Sequence, residues 1–550
     1  MVPEGSAWHM ILPELLREKE LDNPVETPNP TELPNPTEAT NPYIKALWKA
    51  WEKHRVVYAP EPYFSEEIWK IFLSHIFSLS QTGHTIIMFP GIKQVENFME
   101  THGSAWAGQV LSFHSGLSPK QRAQVWVQVI GSRSLCIVGT KSALFLPFSR
   151  INYLILAQEE STEWKEREKG LRYHARDTAL WLSSQEKIPT MLYSQILPSL
   201  ETHYNVRRGK FFRLSSPLSP TFSSSVHMIN LKNHSRNTLF SASLERMIKE
   251  TLTKGEKVLL VHGSKGYAYM QCTICKELSL CPRCGLVLKY YHSLNEIKCS
   301  YCSYKEQGNL TCSSCKNEKI RIEGMGIERL EEEVRDFFPD ISVSMWKSSD
   351  SSSPDADLLL ITHPFSEIVQ ENVGLIAWIK ADLMLGRFDF RTQENAYRKI
   401  RQIQSYFPQK PLCFQSYSPD TPFFQHVLNS KAERFLEEEL RERKLFRYPP
   451  YIRCLVLYLS HPKQEILKQA TENYLINIST QLSQNTETLG PQILSTKRKQ
   501  MPTSQILFKL PCRQQEIQEV QQILIKEKRV LQQEKRYRGL VLLFDMDAYY

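Results

Sequence analysis

Eight of the chain's twelve cysteines form four C-x-x-C pairs: Cys272/Cys275, Cys281/Cys284, Cys299/Cys302 and Cys312/Cys315. Two residues between thiolates let a tight turn aim both sulfurs at one ion. Four pairs therefore supply two complete tetrahedral Cys₄ zinc sites with no ligand left over. Metal binding at such a site releases on the order of 10 kcal/mol of folding free energy, which suits a short segment with little core of its own. Redox dithiols, an iron–sulfur cluster and disulfides are the rival readings. Disulfide scaffolds belong to short secreted chains, which this chain does not resemble.

Elements able to carry such a module flank it on both sides. Thr85-Ile86-Ile87-Met88-Phe89, Ser134-Leu135-Cys136-Ile137-Val138 and Tyr153-Leu154-Ile155-Leu156-Ala157 read as buried strands. Helical stretches over 119–129 and 175–184 lie between or after them. A second set opens with Lys257-Val258-Leu259-Leu260-Val261 and resumes beyond the cysteines at 357–361 and 374–378. Short apolar strands alternating with helices predict an α/β fold with parallel sheets covered on both faces. The cysteines thus read as an insertion in a second α/β domain. A charged helix over 432–444 leads through Tyr448-Pro449-Pro450-Tyr451 into a third region of alternating strands and helices.

The 550 residues suffice for three or four domains. The net charge of +9 is uneven, because residues 1–42 carry eight acids and two bases. The rest is basic even after two zinc–thiolate sites remove about four charges, which is compatible with nucleic acid. Pro13, Glu14 and Arg17 interrupt the first apolar stretch, which argues against a signal peptide. No uncharged apolar run is long enough to span a bilayer, and a cytoplasmic location is expected. Asn29-Pro30-Thr31-Glu32 and Asn35-Pro36-Thr37-Glu38 repeat one theme in a Pro-rich stretch. Closely spaced prolines forbid a helix and favour a solvated linker.

The cysteine spacing, followed by Gly324-Met325-Gly326-Ile327-Glu328-Arg329, resembles that of the replication restart helicase family of primosomal protein N′ (PriA). His114-Ser115-Gly116-Leu117-Ser118, Gly139-Thr140-Lys141-Ser142-Ala143-Leu144-Phe145 and Arg172-Tyr173-His174-Ala175-Arg176-Asp177 look like its motif segments. Asp389-Phe390-Arg391, Tyr448-Pro449-Pro450, Leu489-Gly490-Pro491 and Asp545-Met546-Asp547 extend the likeness. The resemblance implies two RecA-like helicase lobes, a double-zinc insertion in the second and a C-terminal α/β domain. The expected division is 1–45 disordered linker, 46–213 first lobe, 214–420 second lobe with the insertion at 270–318, and 421–550 C-terminal domain. The family's zinc pairing would join Cys272, Cys275, Cys312 and Cys315 at one ion, and Cys281, Cys284, Cys299 and Cys302 at the other. The residues before the first lobe are too few and too proline-rich for the family's DNA-end-binding and winged-helix domains.

The family's motor chemistry does not carry over. A phosphate loop needs glycine, free backbone N–H groups and a lysine. The matching stretch is Ala59-Pro60-Glu61-Pro62-Tyr63-Phe64-Ser65-Glu66. The family's Asp-Glu-Glu-His is Gln158-Glu159-Glu160-Ser161, where a neutral amide replaces the metal-side carboxylate. Glu159 and Glu160 are then a remnant, read as an acidic strand end facing solvent. Further family motifs are replaced from Thr362-His363-Pro364 to Glu371, and the arginine motif near Gln404-Ser405-Tyr406. ATP is not expected as a cofactor; two zinc ions are.

Lysines and tyrosines interleave in the cysteine module, as in single-strand contacts. Lys289, Lys298, Tyr301 and Lys305 are the DNA-contact candidates there, joined by Lys497, Arg498 and Lys499 in an expected loop. A protein-docking face with tyrosines capping small zinc cores stays equally open. Arg172, His174 and Arg176 either contact phosphate or pair with Glu166 or Glu168, and His114 reads as an interior histidine. The expected work is binding branched or single-stranded DNA and recruiting restart factors without ATPase activity. An ATP-dependent 3′–5′ helicase is the enzyme alternative, and a protein-interaction module without a DNA role is the third. Cys281→Ser should lower bound zinc from two ions to about one, by four-ligand arithmetic, in a metal assay of the purified chain. Unchanged stoichiometry would refute the two-site scheme.

Overall fold

A computed structural model describes residues 42–60, 66–79, 82–103, 108–166, 172–194, 196–215, 224–231, 239–262, 268–274, 279, 288–291, 295–298, 305–307, 311–312, 315–323, 327–346, 354–362, 372–385, 390–429, 432–483, 485–498 and 501–547. The chain divides into two compact units, Met1–Pro220 and Thr221–Ala548.

The first unit holds strands β1 (Val56–Pro60), β2 (His84–Met88), β3 (Val110–Phe113), β4 (Cys136–Gly139), β5 (Ile151–Ala157), β6 (Thr190–Ser194) and β7 (Phe212–Arg213). They form one sheet in the order β3-β4-β2-β5-β6-β1-β7. Every pairing in it is parallel. Helices α1 (Pro42–Trp51), α2 (Glu66–Leu79), α3 (Ile92–Phe98), α4 (Pro119–Gly131), α5 (Ala175–Glu186) and α6 (Leu200–Arg207) accompany it. Strand periodicity sorts the core. Val57, Ala59, Ile87, Ile155 and Ala157 join a cluster with residues of α1, α2 and α3. Their neighbours Val56, Tyr58, Ile86, Met88, Leu154 and Leu156 join Trp164, Ala175 and Ala179 on the other face. Ser118 starts α4 with a capping box, its hydroxyl accepting from the Gln121 amide and its own amide donating to Gln121 Oε1.

Helix α1 begins at Pro42, inside the expected linker over 1–45, and corrects it there; residues 1–41 lie outside the described residues. Ile44 and Leu47 are buried in the first unit's core. Trp48 and Trp51 pack on Tyr153 with ring centroids 5.0 and 5.3 Å away. Apolar residues at helical spacing outweigh the proline signal here, because Pro42 stands where a helix tolerates proline, in its first turn.

The second unit begins with β8 (Val226–Asn230), α7 (Ala242–Thr253) and β9 (Lys257–Val261). After β9 come five short strands: β10 (Ala268–Cys272), β11 (Lys289–Tyr291), β12 (Glu296–Lys298), β13 (Lys305–Gln307) and β14 (Ile320–Glu323). They form an antiparallel sheet in the order β13-β12-β11-β10-β14. The chain then resumes through α8 (Ile327–Phe337), β15 (Val343–Met345), β16 (Leu358–Ile361), β17 (Val373–Trp378), α9 (Thr392–Tyr406) and β18 (Leu412–Ser416). These complete a parallel sheet, β15-β16-β9-β17-β18-β8. Leu244, Ile248, Leu330 and Val334 cover it from α7 and α8.

Helices α10 (Pro422–Asn429) and α11 (Ala432–Leu445) lead to β19 (Ile452–Ser460), α12 (Gln464–Ser479), β20 (Glu487–Arg498), β21 (Met501–Pro511), α13 (Gln514–Gln533) and β22 (Val541–Met546). The expected C-terminal α/β pattern is corrected here. The sheet β20-β21-β19-β22 is antiparallel, with α12 and α13 on one face. Leu455, Leu457 and Leu459 point to those helices, while Val456 and Tyr458 form a small cluster on the other side. Leu47→Ala should cost about 2–5 kcal/mol in urea unfolding of the first unit's signal. A loss below about 0.5 kcal/mol would mean that α1 contributes nothing to that core.

Candidate metal centre and the surrounding polar clusters

Strand β10 ends on Cys272, opposite Ile320 of β14. Just before β14 the chain makes a tight turn that carries Cys312 and Cys315. The Lys316 amide donates to the Cys312 carbonyl (3.0 Å) and the Cys312 amide to the Asn317 carbonyl (2.8 Å). Lys316 takes the left-handed conformation, φ +59°. Asn317 Oδ1 accepts from the Lys319 amide (2.7 Å). Both the amide and the hydroxyl of Thr273 donate to the Lys319 carbonyl, each at 2.9 Å, which fastens the turn to the end of β10.

The three sulfurs lie within 4.8 Å of one another, with Cys272 Sγ 3.5 Å from Cys315 Sγ. Sulfurs around a tetrahedral zinc sit about 3.8 Å apart, given Zn–S bonds of about 2.3 Å. The Cys315 amide also points at Cys312 Sγ (3.5 Å), a contact that favours thiolate over thiol. These thiols fit a soft divalent ion, and they come from the first and last C-x-x-C pairs. Cys275, Cys281, Cys284, Cys299 and Cys302 lie outside the described residues.

Three of the DNA-contact candidates fall in one row. Lys289 stands opposite Lys298 across β11 and β12, and Lys298 opposite Lys305 across β12 and β13. Lys305 is exposed. Tyr290 is interior, 6% exposed, and its hydroxyl donates to Asn295 Oδ1 (2.9 Å); it fills the small sheet's core and is not open to stacking. Tyr301 and Lys499 lie outside the described residues. Lys497 and Arg498 belong to β20, not to a loop as expected, because Arg498 still pairs with Met501.

The remnant at the end of β5 is corrected most. Glu159 is wholly buried rather than facing solvent. Its Oε1 accepts from the Ser199 amide (2.7 Å). Its Oε2 accepts from the Ser199 hydroxyl (2.8 Å) and Arg176 Nη1 (2.9 Å). Arg176 thus pairs with Glu159, and with Glu201 at 3.6 Å, while Glu166 faces Lys141 at 3.5 Å. Three donors thus engage the Glu159 carboxylate. Glu160 is 9% exposed beside it. His114 is interior, and burial lowers its pKa and keeps it neutral. The stretches 61–65 and 363–371 lie outside the described residues. Gln404, Ser405 and Tyr406 form the last turn of α9, where Gln404 Oε1 accepts from Arg401 Nη1 (3.0 Å).

Sequence reasoning missed a second cluster, around Arg443 of α11. Its Nη2 reaches Glu394 of α9 (2.7 Å), its Nε reaches Glu439 (3.2 Å) and its Nη1 the Pro449 carbonyl (3.2 Å). Arg398 Nη2 holds the other Glu394 oxygen (2.6 Å). Beside them Phe390 stacks on Tyr448, centroids 4.9 Å apart and planes 11° apart. Lys509 Nζ lies 4.7 Å over the Tyr448 ring. The legible signal was two Glu/Arg pairs at helical spacing, Glu394/Arg398 and Glu439/Arg443.

Burial opposes ionisation of Glu394, but Arg398, Arg443 and Arg391 outweigh it and hold its pKa at about 2. Burial pushes Glu439 up to about 7; Arg443 opposes this and Glu394 adds to it. Between pH 4.5 and 7 the folded chain keeps the Glu439 proton that the unfolded chain releases. Stability on this account falls as pH rises through that window. Glu394 works the other way, its contribution being lost as pH falls below 4.5. Glu439→Gln should therefore gain on the parent by up to about 3 kcal/mol between pH 5 and 8 in urea unfolding. A difference that does not change with pH would refute the assignment.

No family model matches the chain. Replication restart protein PriA of Bacillus subtilis is 27% identical over 449 residues, 77% of this chain and 55% of the relative. PriA of Haemophilus influenzae is 28% identical over 410 residues, 70% and 55% respectively. PriA of Borreliella burgdorferi is 24% identical over 419 residues, 73% and 62%. The chain thus spans little more than half the length of these relatives. Among solved structures, Escherichia coli DExH-box NTPase HrpB gives a TM-score of 0.38 at 12% identity, over 70% of this chain and 41% of that one. RecG bound to a three-way DNA junction gives 0.37 at 9%, over 76% and 53%. Along about three quarters of its length, the chain is thus similar in sequence to the PriA replication restart proteins.

Proposed function

We propose that this chain is a zinc-dependent scaffold of replication restart that binds branched or single-stranded DNA and recruits restart factors without hydrolysing ATP. The observation that carries the reading is the row Lys289–Lys298–Lys305 across three adjacent strands. Like charges placed directly opposite each other destabilise a sheet, and a polyanion removes that cost. The row stands on the small sheet whose β10 and β14 end bring Cys272, Cys312 and Cys315 together. Two zinc ions, held by the first and last and by the middle C-x-x-C pairs, would fix it. Lys497 and Arg498, at the end of β20, would add a second contact.

The engagement of Glu159 by Arg176 and Ser199 supports the absence of a motor, as does the proline-rich Ala59–Glu66 stretch. In this reading the two parallel sheets are RecA-like lobes that have lost their reaction and kept their frame, in a cytoplasmic protein. The helicase alternative draws on the position of Gln158-Glu159-Glu160 at the carboxyl end of a central parallel strand, where such folds place their ligands.

ATP turnover by the zinc-loaded chain should match a buffer blank with and without forked DNA; turnover abolished by Glu160→Gln would restore the helicase. Fork affinity should fall steeply with salt. Alanine at Lys289, Lys298 and Lys305 together should flatten the slope of log K against log salt by about 2–3. Salt-insensitive binding would instead favour a protein-interaction module.

A further inference from the structure

At the amino-terminal ends of β2, β5 and β6, opposite the strand ends that carry Glu159 and Ser194, the first unit has an open groove of about 1110 Å³. Phe145, Phe148, Tyr153 and Trp181 line it, with Arg150 and Lys187 among its walls. Trp181 is 60% exposed. One exposed tryptophan on a surface is ordinary. Here the exposed Trp181 ring stands in a groove whose half-buried Phe145, Phe148 and Tyr153 add apolar edges and whose Arg150 and Lys187 are exposed, the combination of aromatic surface and charge on which proline-rich chains lie.

We propose that this groove is the docking site of the chain's own residues 24–41. The sequence of that segment fits on three counts. It holds Pro24, Pro28, Pro30, Pro34 and Pro36, which pre-set an extended form at little entropic cost. Its two Asn-Pro-Thr-Glu repeats are six residues apart, two turns of a three-residue extended helix, so the same face recurs after about 19 Å. It carries Glu26, Glu32 and Glu38 and no lysine or arginine, against Arg150 and Lys187, of which Glu186 offsets one.

The tether also fits. Trp51, at the end of α1, stacks on Tyr153 with centroids 5.3 Å apart and donates through Nε1 to the Thr190 carbonyl (3.2 Å). That end of α1 therefore sits on the groove's rim. The ten residues of α1 place Pro42 about 15 Å away along its axis. Residues 39–41 can cover about 10–11 Å of the way back, so residues 29–38 can run along the groove. Tethering at this distance gives an effective concentration on the order of millimolar, enough for a weak contact to be occupied.

The test is limited digestion of the full chain with a glutamate-specific protease, following cleavage after Glu32 and Glu38. A synthetic peptide of residues 24–41 serves as the unprotected reference. The parent should be cut several-fold more slowly than the peptide. Trp181→Ala, at an exposed position, should raise cleavage to the peptide's rate, and so should the double variant Arg150→Glu/Lys187→Glu. Circular dichroism must show both variants folded. A parent cut as fast as the peptide, or variants cut no faster than the parent, would overturn the proposal. Protection that grows with protein concentration would overturn it as well, assigning the groove to the segment of a second copy. None of these positions touches Glu159 or the cysteines, so the outcome is independent of the DNA-binding reading.

Discussion

One guanidinium, that of Arg443, holds the second unit to itself. It is 2% exposed, and it meets the Glu394 carboxylate of α9, the Glu439 carboxylate of its own helix and the Pro449 carbonyl before β19. Through Glu394 it grips the helix that leads into β18 of the parallel sheet; through Pro449 it grips the entry to the antiparallel one. A buried charge of this kind is weak evidence for net stability, since desolvation opposes the attraction. Its value is geometric, because removing either Arg443 or Glu394 strands the other's charge in a dry place. Two sheets of different construction therefore share one alignment, with the Phe390–Tyr448 stack as the packed side of the same joint.

The small inserted sheet works on the opposite principle. Its strands are three to five residues long, and among the described residues the apolar ones buried there are few, Met270, Leu288, Tyr290 and Ile297 beside the cysteines. Such a layer cannot offset the entropy of ordering its turns by burial alone. The turn around Lys316 and Asn317 holds the Cys312 and Cys315 sulfurs beside Cys272, where an ion could add what burial does not.

Where one force dominated, the sequence was readable. Continuous apolar runs such as 85–89 and 257–261 became buried parallel strands, since only sheets covered on both faces need them. The C-x-x-C spacing singled out Cys272, Cys312 and Cys315, whose sulfurs lie together. Reading failed where two forces competed. Prolines before residue 42 hid the start of α1, whose burial of Ile44 and Leu47 overrode them. The acidic pair Glu159-Glu160 looked solvated, and only the fold could bring Arg176 and Ser199 to Glu159 from 17 and 40 residues away. The C-terminal alternation of strands and helices was visible, but strand direction is set by long-range pairing, which local pattern does not carry.

Tyr269 and Glu323 stand opposite each other, at the first and last turns of the inserted sheet. The chain thus leaves the parallel sheet and returns to it through adjacent, antiparallel strands. Such an insert closes like a purse. An insert joined in this way can change its own length and contents without moving β9 or β15 out of the parallel sheet.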